Sequence, residues 1–170
     1  ILESIGGGVG VIDVDRDGRD DLVFPGGGAL DSSAQPSGLR AGLFRNLGDF
    51  KFARVDEIAS LDGSSFYTHG AAVADVNNDG FDDCLITGFQ GLQLYIGLGD
   101  GTFEEQARSA QLLDSQWSSS AALGDLNGDG AMDLFVVHYV DWSPSNHPFC
   151  KSPNPGQREI CPPRQFNGVT

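Results

Sequence analysis

Three short stretches of this chain have the residue types and spacing to collect the ligands of a divalent cation. They are Asp13-Val14-Asp15-Arg16-Asp17-Gly18-Arg19-Asp20-Asp21, Asp75-Val76-Asn77-Asn78-Asp79-Gly80-Phe81-Asp82-Asp83 and Asp125-Leu126-Asn127-Gly128-Asp129-Gly130-Ala131-Met132-Asp133. Each puts an oxygen-bearing side chain at loop positions 1, 3, 5 and 9 and a glycine at position 6. Calcium takes about 6–8 oxygen ligands at roughly 2.3–2.6 Å, in a geometry loose enough for a flexible loop to supply. The expected side-chain ligands are Asp13, Asp15, Asp17 and Asp21; Asp75, Asn77, Asp79 and Asp83; and Asp125, Asn127, Asp129 and Asp133. Position 7 (Arg19, Phe81, Ala131) varies freely in type, as expected if its backbone carbonyl coordinates. The aspartate at position 9 is expected to close the shell bidentately. Glycine at position 6 permits the positive φ that keeps such a loop wrapped around its ion. Three Ca²⁺ sites are therefore expected.

Two other readings compete. An EF-hand needs a bidentate Glu at position 12 and helices on both sides, whereas position 12 here is Phe24, Thr87 or Val136. Short apolar runs flank each loop: Val9–Ile12 and Leu22–Phe24, Ala71–Ala74 and Leu85–Thr87, Ala121–Gly124 and Leu134–Val137. They read as strand, turn, strand, with the loop at a hairpin tip. The plainer reading is a polar turn without metal, because Asp-Gly and Asn-Gly favour tight turns unaided. Against it stands the charge. The loops hold five, four and three carboxylates, and such clusters repel themselves unless a cation neutralises them.

The elements that must position these loops recur. Asp13 and Asp75 lie 62 residues apart, and Asp75 and Asp125 lie 50 apart. After each of the first two loops comes a second hairpin signal, Leu43-Phe44-Arg45-Asn46-Leu47-Gly48-Asp49-Phe50-Lys51-Phe52 and Leu94-Tyr95-Ile96-Gly97-Leu98-Gly99-Asp100-Gly101-Thr102-Phe103. Two hairpins per unit give four strands, the sequence signature of propeller blades. The expected fold is all-β, with about three consecutive blades of which the third is incomplete. Blade 1 falls in residues 1–60 with an inserted surface loop at 25–40, and blade 2 in 61–115. The first hairpin of blade 3 falls in 116–140, and a Pro/Cys-rich insertion in 141–170. Weak helical signals lie near Val55–Ser60 and Glu104–Leu112. The run Gly70-Ala71-Ala72-Val73-Ala74 suits a strand crowded near a propeller axis.

Half of the 24 acidic residues lie in the three loops. Three bound Ca²⁺ would bring the formal charge from −14 to −8, so the acidity reports chiefly on metal. It argues against nucleic acid and anionic membranes as partners. No run approaches the roughly 20 apolar residues of a membrane span, and no signal peptide is visible. Cys150 and Cys161 are expected to form a disulfide, with Cys84 buried and reduced in an apolar strand; three free thiols in a cytosolic protein is the alternative. A disulfide and calcium loops both favour an exported, oxidising location, whether secreted, periplasmic or cell-surface.

The loops together with Leu-Phe-Arg-Asn-Leu-Gly-Asp-x-x-Phe resemble FG-GAP/VCBS repeats, the propeller repeats shared with integrin α subunits. The tail, from Tyr139-Val140-Asp141-Trp142 through Cys150 and Arg158-Glu159-Ile160-Cys161-Pro162-Pro163 to Phe166-Asn167-Gly168, is similar to the insertion of the ASPIC/UnbV, cartilage-acidic-protein-like branch. The resemblance covers essentially the whole chain and implies an exported, seven-bladed, calcium-binding propeller, longer than this sequence. Cys84 stands where the family has Leu, and Phe50-Lys51 where it has a Gly-containing turn; neither is a ligand. Because open sheet edges invite further pairing, this sequence is expected to be a piece of a longer chain.

No catalytic constellation is visible. His69, His138 and His147 form no His-Glu-x-x-His motif, and Gly6-Gly7-Gly8-Val9-Gly10 lacks the helix of a phosphate loop. His69 and His138 read as satisfied structural residues, and Trp117, Phe135, Tyr139 and Trp142 as packing residues. The expected function is a binding or adhesion module. Its partner would be another protein or the rest of its own propeller. One alternative is an accessory subunit of a larger exported complex, docking through Pro25–Arg40 and Asp141–Thr170. The other is a carbohydrate-active propeller, which would need carboxylates outside the loops to converge; Asp31, Asp56, Glu57, Asp62, Asp114 and Asp141 show no pairing in sequence.

Overall fold

In the computed structural model, residues 2, 5–148, 150 and 161–169 are described. The alternating and apolar runs become twelve strands: β1 (Gly10–Ile12), β2 (Asp21–Phe24), β3 (Gly28–Leu30), β4 (Pro36–Gly38), β5 (Gly42–Asn46), β6 (Phe52–Arg54), β7 (Thr68–Ala74), β8 (Asp83–Gly88), β9 (Gly91–Gly97), β10 (Phe103–Glu105), β11 (Ser118–Gly124) and β12 (Asp133–His138). Among the described residues there is no α-helix, and the fold is all-β. Two four-stranded antiparallel sheets form, ordered β1-β2-β5-β6 and β7-β8-β9-β10, and β11 pairs with β12 as the start of a third. These are blades of a β-propeller, the third incomplete.

Burial shows how the sheets lie. Every residue of β8 and β9 is buried. That happens only if the middle sheet is covered on both faces. On one side Ile12, Val23 and Leu43 of the first sheet meet Cys84, Ile86 and Tyr95. On the other, Leu85, Leu94 and Ile96 meet Ala121, Leu123, Leu134 and Val136. Period-two alternation assigns β9 to both layers at once. Burying each Leu or Ile contributes about 1.5–3 kcal/mol, so these two seams hold the stack together. The outward faces of the end sheets differ. Val9, Val11 and Phe24 on the first, and Phe135 and Val137 on the third, are 40–61% exposed.

One expectation is revised. Residues 25–40 are more than a surface loop, because β3 and β4 form a separate two-stranded hairpin with Leu30 packed toward the Trp117 cluster. Pro36 is tolerated there because a two-stranded sheet is all edge. The helical signals at 55–60 and 104–112 produce only turns, each with one i→i+4 bond, Ala59 N–H to Val55 O at 3.0 Å and Ala110 N–H to Gln106 O at 2.9 Å. A single such bond does not repay helix nucleation, so the turns serve as connectors between blades.

Antiparallel alternation sorts the connections. The acidic loops, and the turns joining β5 to β6 and β9 to β10, all fall at one end of the stack. The β8–β9 turn, the β3–β4 hairpin, the inter-blade connectors and the tail fall at the other. Gly91 in that second group is required by contact, since a Cβ there would lie 2.3 Å from the Phe66 ring. The tail returns to the sheet through a Val140–Gly168 bridge, and Cys150 and Cys161 are joined by a disulfide with Cα atoms 5.3 Å apart. Cys84 is a free, fully buried thiol whose pKa burial pushes up to about 12. Residues 151–160, the whole segment between the two bridged cysteines, lie outside the described residues.

Candidate metal centre

All three acidic loops fold the same way, because the same side chains solve the same backbone problem. The position 1 carboxylate accepts the N–H groups of positions 5 and 6: Asp13 from Asp17 and Gly18, Asp75 from Asp79 and Gly80, and Asp125 from Asp129 and Gly130, at 2.8–3.1 Å. The position 5 carboxylate accepts the N–H of position 7, as in Asp17–Arg19, Asp79–Phe81 and Asp129–Ala131 at 2.8–3.0 Å. These bonds hold the Asp125 and Asp129 carboxyls below the usual carboxylate range, chiefly through the N–H groups of Gly130 and Ala131. Position 6 glycines have φ of 81°, 88° and 88°, as the spacing requires. Position 4 is left-handed too, at 56° in Arg16, 59° in Asn78 and 79° in Gly128. Sequence reading missed that, although Asn and Gly are residues that tolerate it.

The position 9 aspartates do more than expected. Asp21 and Asp83 are 0% exposed. Through Oδ2 each accepts the N–H of position 2, Val14 at 3.1 Å and Val76 at 2.8 Å. Through Oδ1 each accepts an N–H from the end of the third strand, Asn46 at 2.7 Å and Gly97 at 2.8 Å. One carboxylate thus fastens the loop to the second hairpin of its blade. The sequence carried a trace of this, since Asn46 and Gly97 both stand immediately before a Leu-Gly-Asp turn. Desolvation pushes both carboxyls up, against these backbone bonds. Asp133 makes the equivalent bond to Leu126 N–H at 2.9 Å.

Position 3 separates the loops. In the second and third, Asn77 and Asn127 donate Nδ2–H to Asp79 and Asp129 at 2.8 and 3.0 Å, so part of the carboxylate charge is met internally. Asp15 cannot donate. Both its oxygens are buried and receive no hydrogen bond. Arg45 lies against Asp15 as an ion pair and reaches within 3.7 Å of Asp17, while Arg19 contacts Asp17. Oxygens of Asp13, Asp15 and Asp21 lie within 4.8 Å of one another, about twice a calcium–oxygen bond. This donor set fits a hard divalent cation: all oxygen, net anionic, with a buried Asp15 carboxylate that no donor of its own loop meets and only Arg45 pairs.

Two overlapping family-model matches across these loops decide the relationship: an FG-GAP-like repeat model aligns with residues 13–86 and again with 75–136. The chain belongs to the FG-GAP-like repeat family. Each match begins at a position 1 aspartate, so the repeat and the loop geometry coincide. The chain is also similar to the T-cell immunomodulatory protein homolog of Plasmodium falciparum (isolate 3D7), with 27% identity over 150 residues. That alignment covers 81% of this chain and 20% of the relative, so the chain spans about a fifth of that relative's length.

Outside the FG-GAP loops, the opposite end of the stack holds a cavity of about 440 Å³ beside β9. Asp62 and Asp114, two of the carboxylates that sequence left unpaired, line it together with Glu105, Arg108 and Gln93. Gln93 is 6% exposed and donates to Ser65 and to the Tyr95 hydroxyl at 3.1 and 3.0 Å, while its Oε1 is buried without a partner. Asp114 is already committed, accepting from Ser118 and from Gln116 N–H and meeting His138 Nε2 at 3.2 Å. His69 departs from its expected satisfied state. It is stacked between Tyr67 and Trp117 at 5.2 and 5.7 Å, but its Nε2 is buried and accepts no hydrogen bond.

Proposed function

We propose that this chain is the calcium-braced portion of an exported β-propeller of the ASPIC/UnbV branch, seven-bladed when whole, that acts as a protein- or ligand-binding or adhesion module. The observation that carries it is the Asp15 carboxylate, buried at the centre of a repeated oxygen-lined loop, with no donor from that loop and only Arg45 paired against it. Asp13, Asp15, Asp17 and Asp21, with the Arg19 carbonyl, would hold one Ca²⁺; Asp75, Asn77, Asp79, Asp83 and the Phe81 carbonyl a second; Asp125, Asn127, Asp129, Asp133 and the Ala131 carbonyl a third. A bound ion would supply charge neutralisation, and the side chains do the rest by tying strand ends together. The Cys150–Cys161 disulfide supports a secreted, periplasmic or cell-surface location. The exposed apolar faces at Val11 and Phe24, and at Phe135 and Val137, support further blades as the immediate partners. The blade limits proposed are residues 1–60, 61–115 and 116–140, followed by an insertion at 141–170. Calcium titration calorimetry tests the reading: three ions per chain are expected, and no heat of binding on a folded protein would overturn it.

Loop 1 should differ from its neighbours. Arg45 neutralises Asp15 where an ion would compete for the same oxygens. The Arg45 side of the pair is open to solvent, which holds its worth to about 0.2–1 kcal/mol, so Arg45→Gln is expected to tighten calcium at loop 1 by up to about 5-fold. Calorimetry of the variant checks this, and unchanged affinity would remove Arg45 from the site.

A second reading rests on the cavity beside β9. A buried acceptor on Gln93 and carboxylates at its margin suit a small hydroxyl-rich ligand such as a carbohydrate. Saturation-transfer NMR with neutral methyl hexosides tests it. Ser65→Trp, at an exposed residue of the mouth, is expected to abolish any transfer by filling the cavity. Transfer surviving in that variant would place the ligand elsewhere.

A further inference from the structure

The acidic loops of successive blades touch at both junctions, each time through position 4 of the preceding loop. At the first junction Arg16, position 4 of loop 1, sets its guanidinium 5.3 Å from the ring centroid of Phe81, position 7 of loop 2. Asp13 N–H also reaches Asp82 Oδ2 of loop 2 at 3.4 Å. At the second junction Asn78, position 4 of loop 2, donates to the carbonyl of Gly130, position 6 of loop 3, at 3.5 Å. In each case a left-handed position 4 residue reaches forward to position 6 or 7 of the next loop, Arg16 to a side-chain ring and Asn78 to a backbone carbonyl. Left-handed φ is costly for arginine, and a Gly or Asn would serve the turn of loop 1 alone. The long cation at that position is better accounted for by what it contacts.

Phe81 is held from two sides. A Cβ on Gly99 would lie 2.2 Å from its ring, so the ring rests on bare backbone at one face while Arg16 covers it from loop 1. Its own N–H is tied to Asp79. With ring and N–H both fixed, the orientation of the Phe81 carbonyl is set by residues belonging in part to the preceding blade.

We propose that Arg16 and Asn78 are positioning residues for the neighbouring loop, so that each acidic loop is pre-ordered by the one before it and calcium binding along the blades is coupled. The proposal rests on the calcium reading above. It requires that loss of a loop 1 side chain that offers no ligand to loop 1 weaken the site in loop 2. By linkage, occupancy of either loop then raises the affinity of the other by the same factor. An exposed cation–π contact corresponds to about a 2–5-fold change in affinity.

The test follows the Gly18 and Gly80 amides by NMR through a calcium titration, each glycine reporting its own loop. Arg16→Ala and Arg16→Gly are expected to move the Gly80 midpoint to about 2–5-fold higher calcium and to make the Gly80 curve less steep. Arg16→Gly relieves the left-handed backbone while removing the side chain, which separates the contact from the turn. Arg16→Lys, which keeps the cation over the ring, is expected to restore most of the wild-type midpoint. An unmoved Gly80 midpoint in both truncations overturns the coupling and leaves the calcium sites standing. A wild-type protein with no calcium-dependent shift at either glycine overturns both.

Discussion

Thermal unfolding in excess chelator is expected to fall roughly 5–10 °C below unfolding in millimolar calcium for every site that is filled. The estimate follows from linkage. A site binding at about 10⁻⁵ M, exposed to about 1 mM free ion, stabilises the folded state by roughly 2.7 kcal/mol. For a chain of this size each kcal/mol moves the midpoint by about 2–4 °C. The structural reason is that the loop side chains are shared. Asp21 and Asp83 carry the bond from each loop to its third strand, through Asn46 and Gly97, and both are fully buried. Burial, and after it the neighbouring loop aspartates, raise their pKa, so each ionised carboxylate opposes folding unless a cation offsets it. Scanning calorimetry in calcium, in magnesium and in chelator makes the comparison, with magnesium expected to substitute poorly because it demands near-octahedral geometry. Identical transitions in calcium and chelator would remove the ion from the account.

The same side chains explain why so much was legible in sequence. A calcium loop, a tight turn and a strand boundary each constrain residue type at fixed offsets. Where all three coincide, as at Asp75-x-Asn77-x-Asp79-Gly80-x-x-Asp83, the pattern is dense enough to read directly. The β9–β10 pairing was legible for a similar reason, since Leu98-Gly99-Asp100-Gly101 is a turn with apolar strands on both sides. What failed to show was anything decided by residues far apart in the chain. Arg45 meets Asp15 across 30 positions, and Asp62 and Asp114, 52 positions apart, line one cavity, and neither pair has a local signature. The β3–β4 hairpin was missed because Gly28-Ala29-Leu30 and Pro36-Ser37-Gly38 have little strand propensity; contact with Tyr67 and the Trp117 cluster orders them instead. The turns at 56–60 and 107–111 carry only weak helical signals, and helix formers crossing between blades have no room to propagate.

Lowering the pH from about 6.5 to about 4 is expected to cost the protein roughly 3 kcal/mol through one residue, His69. Its imidazole is 2% exposed, stacked between Tyr67 and Trp117, with no acceptor at Nε2 to share a second proton. Burial therefore disfavours the charged form and lowers its pKa from 6.5 to about 4. The folded-state value lies below the unfolded one, so the unfolded chain takes up the proton first. The stability contributed by the neutral ring is complete above about pH 6.5 and is lost as pH falls toward 4, at about 1.4 kcal/mol per unit. Asp21 and Asp83, whose carboxyls burial pushes up, add a pH dependence of their own, so the comparison must be with a variant under identical conditions. His69→Phe keeps an aromatic ring in the stack and removes the titration. Chemical denaturation at pH 7 and at pH 4 is expected to show the wild-type protein losing roughly 3 kcal/mol more than the variant. Equal losses would mean that His69 takes up its proton without leaving the stack, through an acceptor reached by movement of the Trp117 cluster. The bulge that carries His69, between Thr68 and Gly70, recurs between Ser118 and Ser120 in the third sheet with Ser119 in its place. Acid sensitivity should accordingly follow the residue at the bulge and not the bulge itself.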